Sequence, residues 1–360
     1  MLAAYVSGHG FGHATRTGEV LRRLREQARD LPITVSTSAP AELFFEAVGA
    51  SISVRPLECD VGLVQKDALT IDEAGSADAL DRFLEGWPRL VEAESRWLRE
   101  SGARLVLGDI PPLAFAAAAE AGLPSVALAN FSWDWIYRHL GRRHRRLAEA
   151  AEWAAAAYER AGSLLRLPFA GDLSAFRKIE DIPLVARRPA AGKADARRRL
   201  GLDDRPAVLL SFGGLGMPDL DPTSLARLAP YQFLVTGRMG GGGAPNVRRL
   251  PNAELTAAGL EYTDLVAAVD VVVSKPGYGI VTDCIGAGTR LVYTDRGDFP
   301  EYPVLVAEMP RYLPVTFVSN EDLCRGRLEG ALDSVSALPF PSPPRLDGAS
   351  IAASRLLAAL

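Results

Sequence analysis

Short apolar runs alternate along this chain with longer segments whose apolar residues recur every three or four positions. In the first half, Leu2–Ser7, Ile33–Thr37, Ser51–Pro56, Leu105–Asp109 and Ser125–Leu128 are brief, apolar or β-branched, and bounded by turn residues, which predicts strands. Between them, Thr15–Gln27, Ala41–Val48, Ala77–Ser101 and Pro112–Ala121 carry helical spacing, and the Ala-rich stretch Arg143–Ala161 predicts a further helix. From Leu167 to Ala196 the period fades and Pro and Gly accumulate, which predicts a connection between domains.

A second alternating series follows. Strands are predicted at Ala207–Ser211, Tyr231–Val235, Val271–Ser274, Arg290–Tyr293 and Val315–Val318. Helices are predicted near Pro222–Leu228, Asp264–Val269, Tyr278–Ala287, Pro303–Met309 and Asn320–Leu332. The four prolines of Leu338–Pro344 keep that segment extended, and Gly348–Leu360 predicts a closing helix. Strand–helix alternation implies parallel sheets covered on both faces, so the fold class is α/β with two Rossmann-like domains. The divisions fall at residues 1–180, 181–345 and 346–360, the last being the closing helix.

Composition narrows the function. A length of 360 residues suits two such domains better than one. No apolar run reaches the length of a membrane span. The net charge of −4 comes without a block of like charge, which argues against nucleic acid as the main partner. The first strand follows the N-terminus with no basic leader or cleavage site, and the cysteines are Cys59, Cys284 and Cys324, too few and too scattered for a disulfide framework or zinc motif. A cytoplasmic setting is the expectation.

Ligands in such sheets sit at the carboxyl ends of strands, so residues just beyond strands carry the chemistry. The first such loop is Gly8-His9-Gly10-Phe11-Gly12-His13-Ala14-Thr15-Arg16, with two of the four histidines. Its glycines allow a tight turn, and the helix after it presents free amides. It departs from a dinucleotide fingerprint at His13, and no acid ends the second strand at Thr37. Either histidine serves chemistry or simply shapes the turn. Asp109 ends a strand ahead of Pro111 and Pro112; it suits an imidazole partner or a turn aspartate equally. Asn130, Trp133 and Asp134 follow the next strand and fit sugar faces and hydroxyls, or interdomain packing.

In the second half, Gly213 and Gly214 form a loop able to cradle phosphate, and Arg238 is a candidate cation for a diphosphate. Tyr262, just before a helix, is a candidate for the base. Ser274-Lys275-Pro276-Gly277-Tyr278-Gly279-Ile280-Val281-Thr282-Asp283 joins an apolar strand to a helix. Lys275, one of only four lysines, adds a point charge to the amides around Gly277, Tyr278 and Gly279, and Asp283 can accept from ribose hydroxyls. Bland uses exist for both: a solvated loop lysine and a dipole-complementing acid.

Taken together, these residues resemble the GT-B glycosyltransferases, including the UDP-glycosyltransferases and the bacterial peptidoglycan N-acetylglucosaminyltransferase. Gly277 and Gly279 match the family's donor turn, and Asp283 matches its ribose-binding acid, with Asp for the usual Glu. Asp298 and Glu301 fall where the family contacts the donor sugar. Gly12-His13-x-x-Arg16 resembles the family's Gly-His-x-x-Pro turn, with Arg for Pro. The resemblance implies His13 as general base oriented by Asp109, with Asp298 and Glu301 near the donor sugar, while His9, Gly10, Arg16, Asn130, Trp133 and Asp134 are candidate substrate-side residues from their own chemistry beyond strand ends. A closer resemblance covers almost the whole chain. It is to the N-terminal region of plant L-arabinokinases, on Gly8–Arg16, Gln65–Thr70, Asn130–Ile136, Ile182–Arg188 and Lys275–Gly279. The likeness to the GT-B enzymes implies inverting transfer from a nucleoside-diphosphate sugar, UDP-linked, to a small-molecule acceptor; no Asp-x-Asp motif stands in a suitable loop, so neither a metal nor another cofactor is expected. A sugar-nucleotide hydrolase or epimerase, or a non-catalytic sugar-nucleotide binder linked to a sugar kinase, would use the same cleft.

Overall fold

The structure is a computed structural model that describes residues 1–65, 70–213, 219–237 and 243–360. The first sheet contains β1 (Leu2–Val6), β2 (Ile33–Thr37), β3 (Ser53–Pro56), β4 (Leu105–Asp109), β5 (Ser125–Ala129), β6 (Ser163–Arg166) and β7 (Ile179–Asp181). The second contains β8 (Ala207–Ser211), β9 (Gln232–Thr236), β10 (Val247–Arg249), β11 (Val271–Ser274), β12 (Arg290–Tyr293) and β13 (Val315–Phe317). The spatial orders are β3-β2-β1-β4-β5-β6-β7 and β10-β9-β8-β11-β12-β13. Neighbouring strands pair in parallel throughout both sheets. β1, β4, β5 and β8 are buried along their whole length, as strands covered on both faces must be.

Strand order reverses between β1 and β4 in the first sheet, and between β8 and β11 in the second. Such switch points open a crevice at the carboxyl ends of the two strands, because their connections leave in opposite directions. The Gly8–Gly12 loop and Asp109 flank the first switch point. Ser211–Gly213 and Lys275–Gly279 flank the second.

Several elements differ from the pattern in the sequence. The first helix starts at Phe11, not Thr15, because Gly10 takes a left-handed φ of 83° and lets the chain enter the helix a turn earlier. The single helix expected over Ala77–Ser101 is two, Glu73–Glu85 and Trp87–Glu100. Pro88 in the first turn of the second cannot continue a preceding helix, and Gly86 takes the bend. Trp133–Leu140 is an additional helix. Strand β7 lies inside the stretch read as a connection and extends the first sheet to Asp181. Asn320–Leu332 also divides, into Asn320–Cys324 and Glu329–Ala337.

The closing helix, Gly348–Ala359, returns to the first domain. Its Ala349, Ala352, Ala353 and Leu356 are buried in the same apolar cluster as Val20, Leu21 and Leu24 of the first helix. Gly348 permits this crossing, since a Cβ there would lie 2.0 Å from the Pro183 carbonyl oxygen. Among the described residues, no helix is long and apolar enough to cross a membrane.

Candidate active site between the two sheets

The first switch point is built from side chains. His13 and Arg16 sit one turn apart on the buried face of helix Phe11–Gln27. Strand β4 places Asp109 beside the end of β1, where the Ser7 amide donates to the Asp109 carbonyl at 2.9 Å. The Asp109 side chain is fully buried, and His13 is only 5% exposed. Asp109 Oδ1 lies 2.8 Å from His13 Nδ1. Thr17 Oγ1 donates to Oδ2 at 2.7 Å, Arg16 Nε donates to Oδ2 at 2.7 Å, and Arg16 Nη2 donates to Oδ1. Burial alone would raise the Asp109 carboxyl. The Arg16 charge and hydrogen bonds, helped by His13, outweigh it and hold the group down at about 2.

Arg16 Nη2 also lies 3.1 Å from His13 Nδ1. A guanidinium only donates, so Nδ1 cannot serve both neighbours at once. The shorter contact is with the carboxylate. It assigns the proton to Nδ1 and leaves Nε2 as the basic nitrogen. Phe131 packs its ring edge-on against the imidazole, with centroids 5.4 Å apart.

His9 is held differently. The Leu63 amide donates to its Nδ1 at 3.4 Å, and Trp133 packs edge-on at 5.2 Å. Gly62 accommodates the ring: a Cβ there would come within 2.6 Å of Nδ1. Burial, then the nearby charges of His13, Arg296 and Lys275, lower His9 to about 3, so it is a neutral imidazole. Gly10 is exposed at the loop tip. Trp133 is fully buried, and its Nε1 donates to Asp60 at 2.7 Å. Ser7 Oγ donates to the other Asp60 oxygen at 3.1 Å, and burial raises this carboxyl. Asp134 is also buried, accepting from Arg138 at 3.1 Å.

The second switch point is built mainly from backbone. Gly277 caps the helix Tyr278–Ala287, whose first amides lie where β11 ends. The helix start meets the start of helix Phe11–Gln27 across the gap: a Cβ on Gly279 would sit 3.4 Å from Gly12 Cα. Arg16 lies over the Tyr278 ring at 5.2 Å, and the Tyr278 hydroxyl accepts from the Val185 amide at 3.3 Å. The Tyr262 hydroxyl and Ser211 Oγ are 2.7 Å apart, and Thr236 Oγ1 donates to Ser211 Oγ at 2.9 Å. Gly213 adopts a left-handed φ of 70° beyond β8. Asp283 is buried and takes both Nε and Nη2 of Arg187, at 3.1 and 2.6 Å. Gly214 and Arg238 lie outside the described residues.

Asp298 and Glu301 reach across to the first domain. Asp298 accepts from Arg143 and lies 2.6 Å from His139 Nε2. Phe299, between them, is buried in the aromatic cluster that contains Phe131 and Trp133. Glu301 is buried and accepts from Asn130 Nδ2 at 2.8 Å, while Asn130 Oδ1 accepts from Arg16 Nη1 at 2.6 Å. Sequence reasoning missed Asp60, Thr17, Arg187 and Arg296. Asp60 follows β3 and so carried a positional signal; the others have meaning only through their partners. Among the described residues, no group of three or more His, Cys, Asp or Glu side chains is placed to hold a metal ion.

No family model matches this chain. Its sequence is 34% identical over 366 residues to an L-arabinokinase of Arabidopsis thaliana, covering 98% of this chain and 34% of that protein. The chain thus spans about a third of the length of that relative. Among solved structures it is similar to the glycosyltransferase of kitacinnamycin, with a TM-score of 0.61 and 17% identity over 99% of this chain and 97% of the other. It is also similar to MurG of Acinetobacter baumannii, with a TM-score of 0.56 and 13% identity over 99% of each chain. A UDP-N-acetylglucosamine 2-epimerase-like protein of Listeria monocytogenes gives a TM-score of 0.59 and 10% identity over 99% and 94%. At these identities the structures speak for the fold alone. Two parallel Rossmann-like sheets with switch points facing each other, and this set of neighbours, establish that the chain has the GT-B glycosyltransferase fold and is similar along nearly its whole length to part of a plant L-arabinokinase.

Proposed function

We propose that the chain moves a sugar from a nucleoside-diphosphate sugar, UDP-linked, to a hydroxyl of a small-molecule acceptor, with inversion and without a metal ion. The observation that carries this reading is the buried His13–Asp109 pair, held at 2.8 Å and set opposite a helix start whose amides suit an anion. His13 Nε2 takes the acceptor proton while the acceptor oxygen attacks the anomeric carbon. The bond from that carbon to the diphosphate oxygen breaks, and the nucleoside diphosphate leaves with the electron pair. Asp109, already ionised, stabilises the imidazolium that forms. Charge developing on the diphosphate falls to the amides around Gly277 and Gly279, to Lys275, and to the Gly213–Gly214 loop and Arg238. His9, neutral and held by Leu63, is a hydrogen-bond donor toward the substrate side rather than a second base.

The test is direct. Purified protein is screened by thermal shift against nucleoside diphosphates and their sugars, because a ligand of the native state raises apparent stability. Binders are then assayed for nucleoside-diphosphate release with and without an acceptor panel. Acceptor-dependent release supports transfer; release without acceptor points to hydrolysis. A binding-only role is the second reading, favoured by the Asp283–Arg187 pairing, which occupies both oxygens of the acid expected to meet ribose. Saturable binding with no release on any acceptor would select it over transfer.

A further inference from the structure

We propose that Glu301, on the nucleotide half, is a positioning residue for His13 on the opposite half, acting through Asn130, Arg16 and Asp109. The links form one continuous hydrogen-bonded chain. His13 Nδ1 meets Asp109 at 2.8 Å, and Arg16 clamps both oxygens of the same carboxylate. Arg16 Nη1 donates to Asn130 Oδ1 at 2.6 Å. Asn130 Nδ2 donates across the gap to Glu301 Oε1 at 2.8 Å. Arg296 Nη1 donates to Glu301 Oε2 at 2.6 Å and to the Pro276 carbonyl at 3.2 Å. Pro276 immediately precedes the Gly277–Gly279 turn.

The polarity of the chain is forced. Arg16 has no acceptor, so Asn130 must turn its carbonyl toward it. Its amide then faces the second domain, where only an acceptor fits, and Glu301 supplies one. Asp109 and Asn130 are fully buried, Glu301 is 3% and Arg16 4% exposed, so water is a poor substitute for any lost partner. Within this series of bonds, Asn130–Glu301 is the link that passes from one half to the other. When it is made, Asn130 is fixed, Arg16 is fixed by Asn130, and Arg16 shares Asp109 with His13 in one arrangement. When it breaks, Arg16 is free to change its grip on the carboxylate that orients the imidazole. The general-base role of His13 rests on the proposed transfer reaction. The coupling across the gap does not, and it is measurable without substrate.

The experiment compares Asn130→Asp, Glu301→Gln and the double variant Asn130→Asp/Glu301→Gln in the ligand-free full chain. Hydrogen exchange is followed at the amides of Gly12–Thr17 and of Gly277–Thr282, and proton NMR follows the downfield His13 Nδ1–H signal. Asn130→Asp sets two carboxylates face to face. Exchange should rise about tenfold in both segments, as for residues of one network, and the imidazole proton signal should be lost. In the double variant the new amide at position 301 donates to the new carboxylate at 130, which still accepts from Arg16. Exchange and the proton signal should return toward those of the unaltered protein. A rise in one segment only would overturn the proposal, and so would a double variant no closer to the unaltered protein than Asn130→Asp. If the exchange and NMR pattern holds while no nucleotide sugar turns over, the transfer reading falls and the coupling stands.

Discussion

The two switch points face each other across one gap, yet they are made of different material. The first surrounds a fully buried carboxylate with His13, Arg16 and Thr17, and fills its oxygens with four hydrogen bonds. The second offers Gly277, Gly279 and the first amides of a helix. The difference suits the two tasks proposed for them. Moving a proton needs a titratable side chain whose tautomer is fixed by a partner. Holding an anion needs backbone N–H groups and room for close approach, which a Cβ would remove. The first site is therefore sensitive to loss of side-chain atoms, the second to their addition.

The largest expected effect is on stability. Asp109→Ala leaves the Arg16 guanidinium buried without its counter-ion, which costs about 3–5 kcal/mol as for other broken buried pairs. Denaturant titration measures it, and a loss below about 1 kcal/mol would place this network in the class of surface pairs. Next comes His13→Ala, which should lower turnover by about 10²–10⁴-fold, the usual share of a general base. Calorimetry should find nucleoside-diphosphate affinity nearly unchanged; an equal loss of affinity would merge the two sites into one.

Addition should mark the second site. Gly279→Val pushes a branched side chain toward Gly12, from a position where even a Cβ would sit 3.4 Å from the Gly12 Cα. Overpacking of this kind costs about 1–3 kcal/mol. We expect that loss of stability in the ligand-free protein, together with a weaker nucleotide-induced thermal shift. An unaltered ligand shift would show that the gap has room to spare.

The smallest effect is a pH slope. His9 is lowered from 6.5 to about 3 in the folded chain. The unfolded chain therefore binds a proton first as pH falls below 6.5, and the folded chain takes it up only near 3. This contribution to stability is complete above pH 6.5 and is lost progressively as pH falls toward 3. His9→Gln should flatten that part of the acid limb in thermal melts from pH 7 to 4. An unchanged limb would show that His9 meets solvent freely.

The sequence reading reached the elements whose pattern is local. Ile33–Thr37, Leu105–Asp109, Ala207–Ser211, Val271–Ser274 and Arg290–Tyr293 have the bounds expected of short, mostly apolar or β-branched runs in covered parallel sheets. Helix Tyr278–Ala287 starts at its glycine turn and stops before Gly288 in the left-handed region. The turn Phe11–Ala14 was hidden because Phe11, Gly12 and His13 all lack strong helix preference, and the left-handed backbone of Gly10 that starts the helix there shows only in the structure. Trp133 looked suited to a sugar face. The fold instead stacks it on Tyr137 and ties its N–H to Asp60. Arg16 looked like a departure at a proline position, and its partners are residues 93 and 114 positions away.

By itself the sequence determined the two α/β halves, the strands that form their centres, and the placing of His13, Asp109 and the Gly277–Gly279 turn at strand ends. Periodicity and turn chemistry act over a few residues, so they are written in order along the chain. Tertiary structure alone decided that Arg16 shares Asp109 with His13, that Arg187 takes Asp283, and that Asn130 meets Glu301 across the gap. Those pairings join residues far apart in the chain: Arg16 and His13 meet Asp109 within the first half, Arg187 meets Asp283 within the second, and Asn130 finds Glu301 only where the two halves come together.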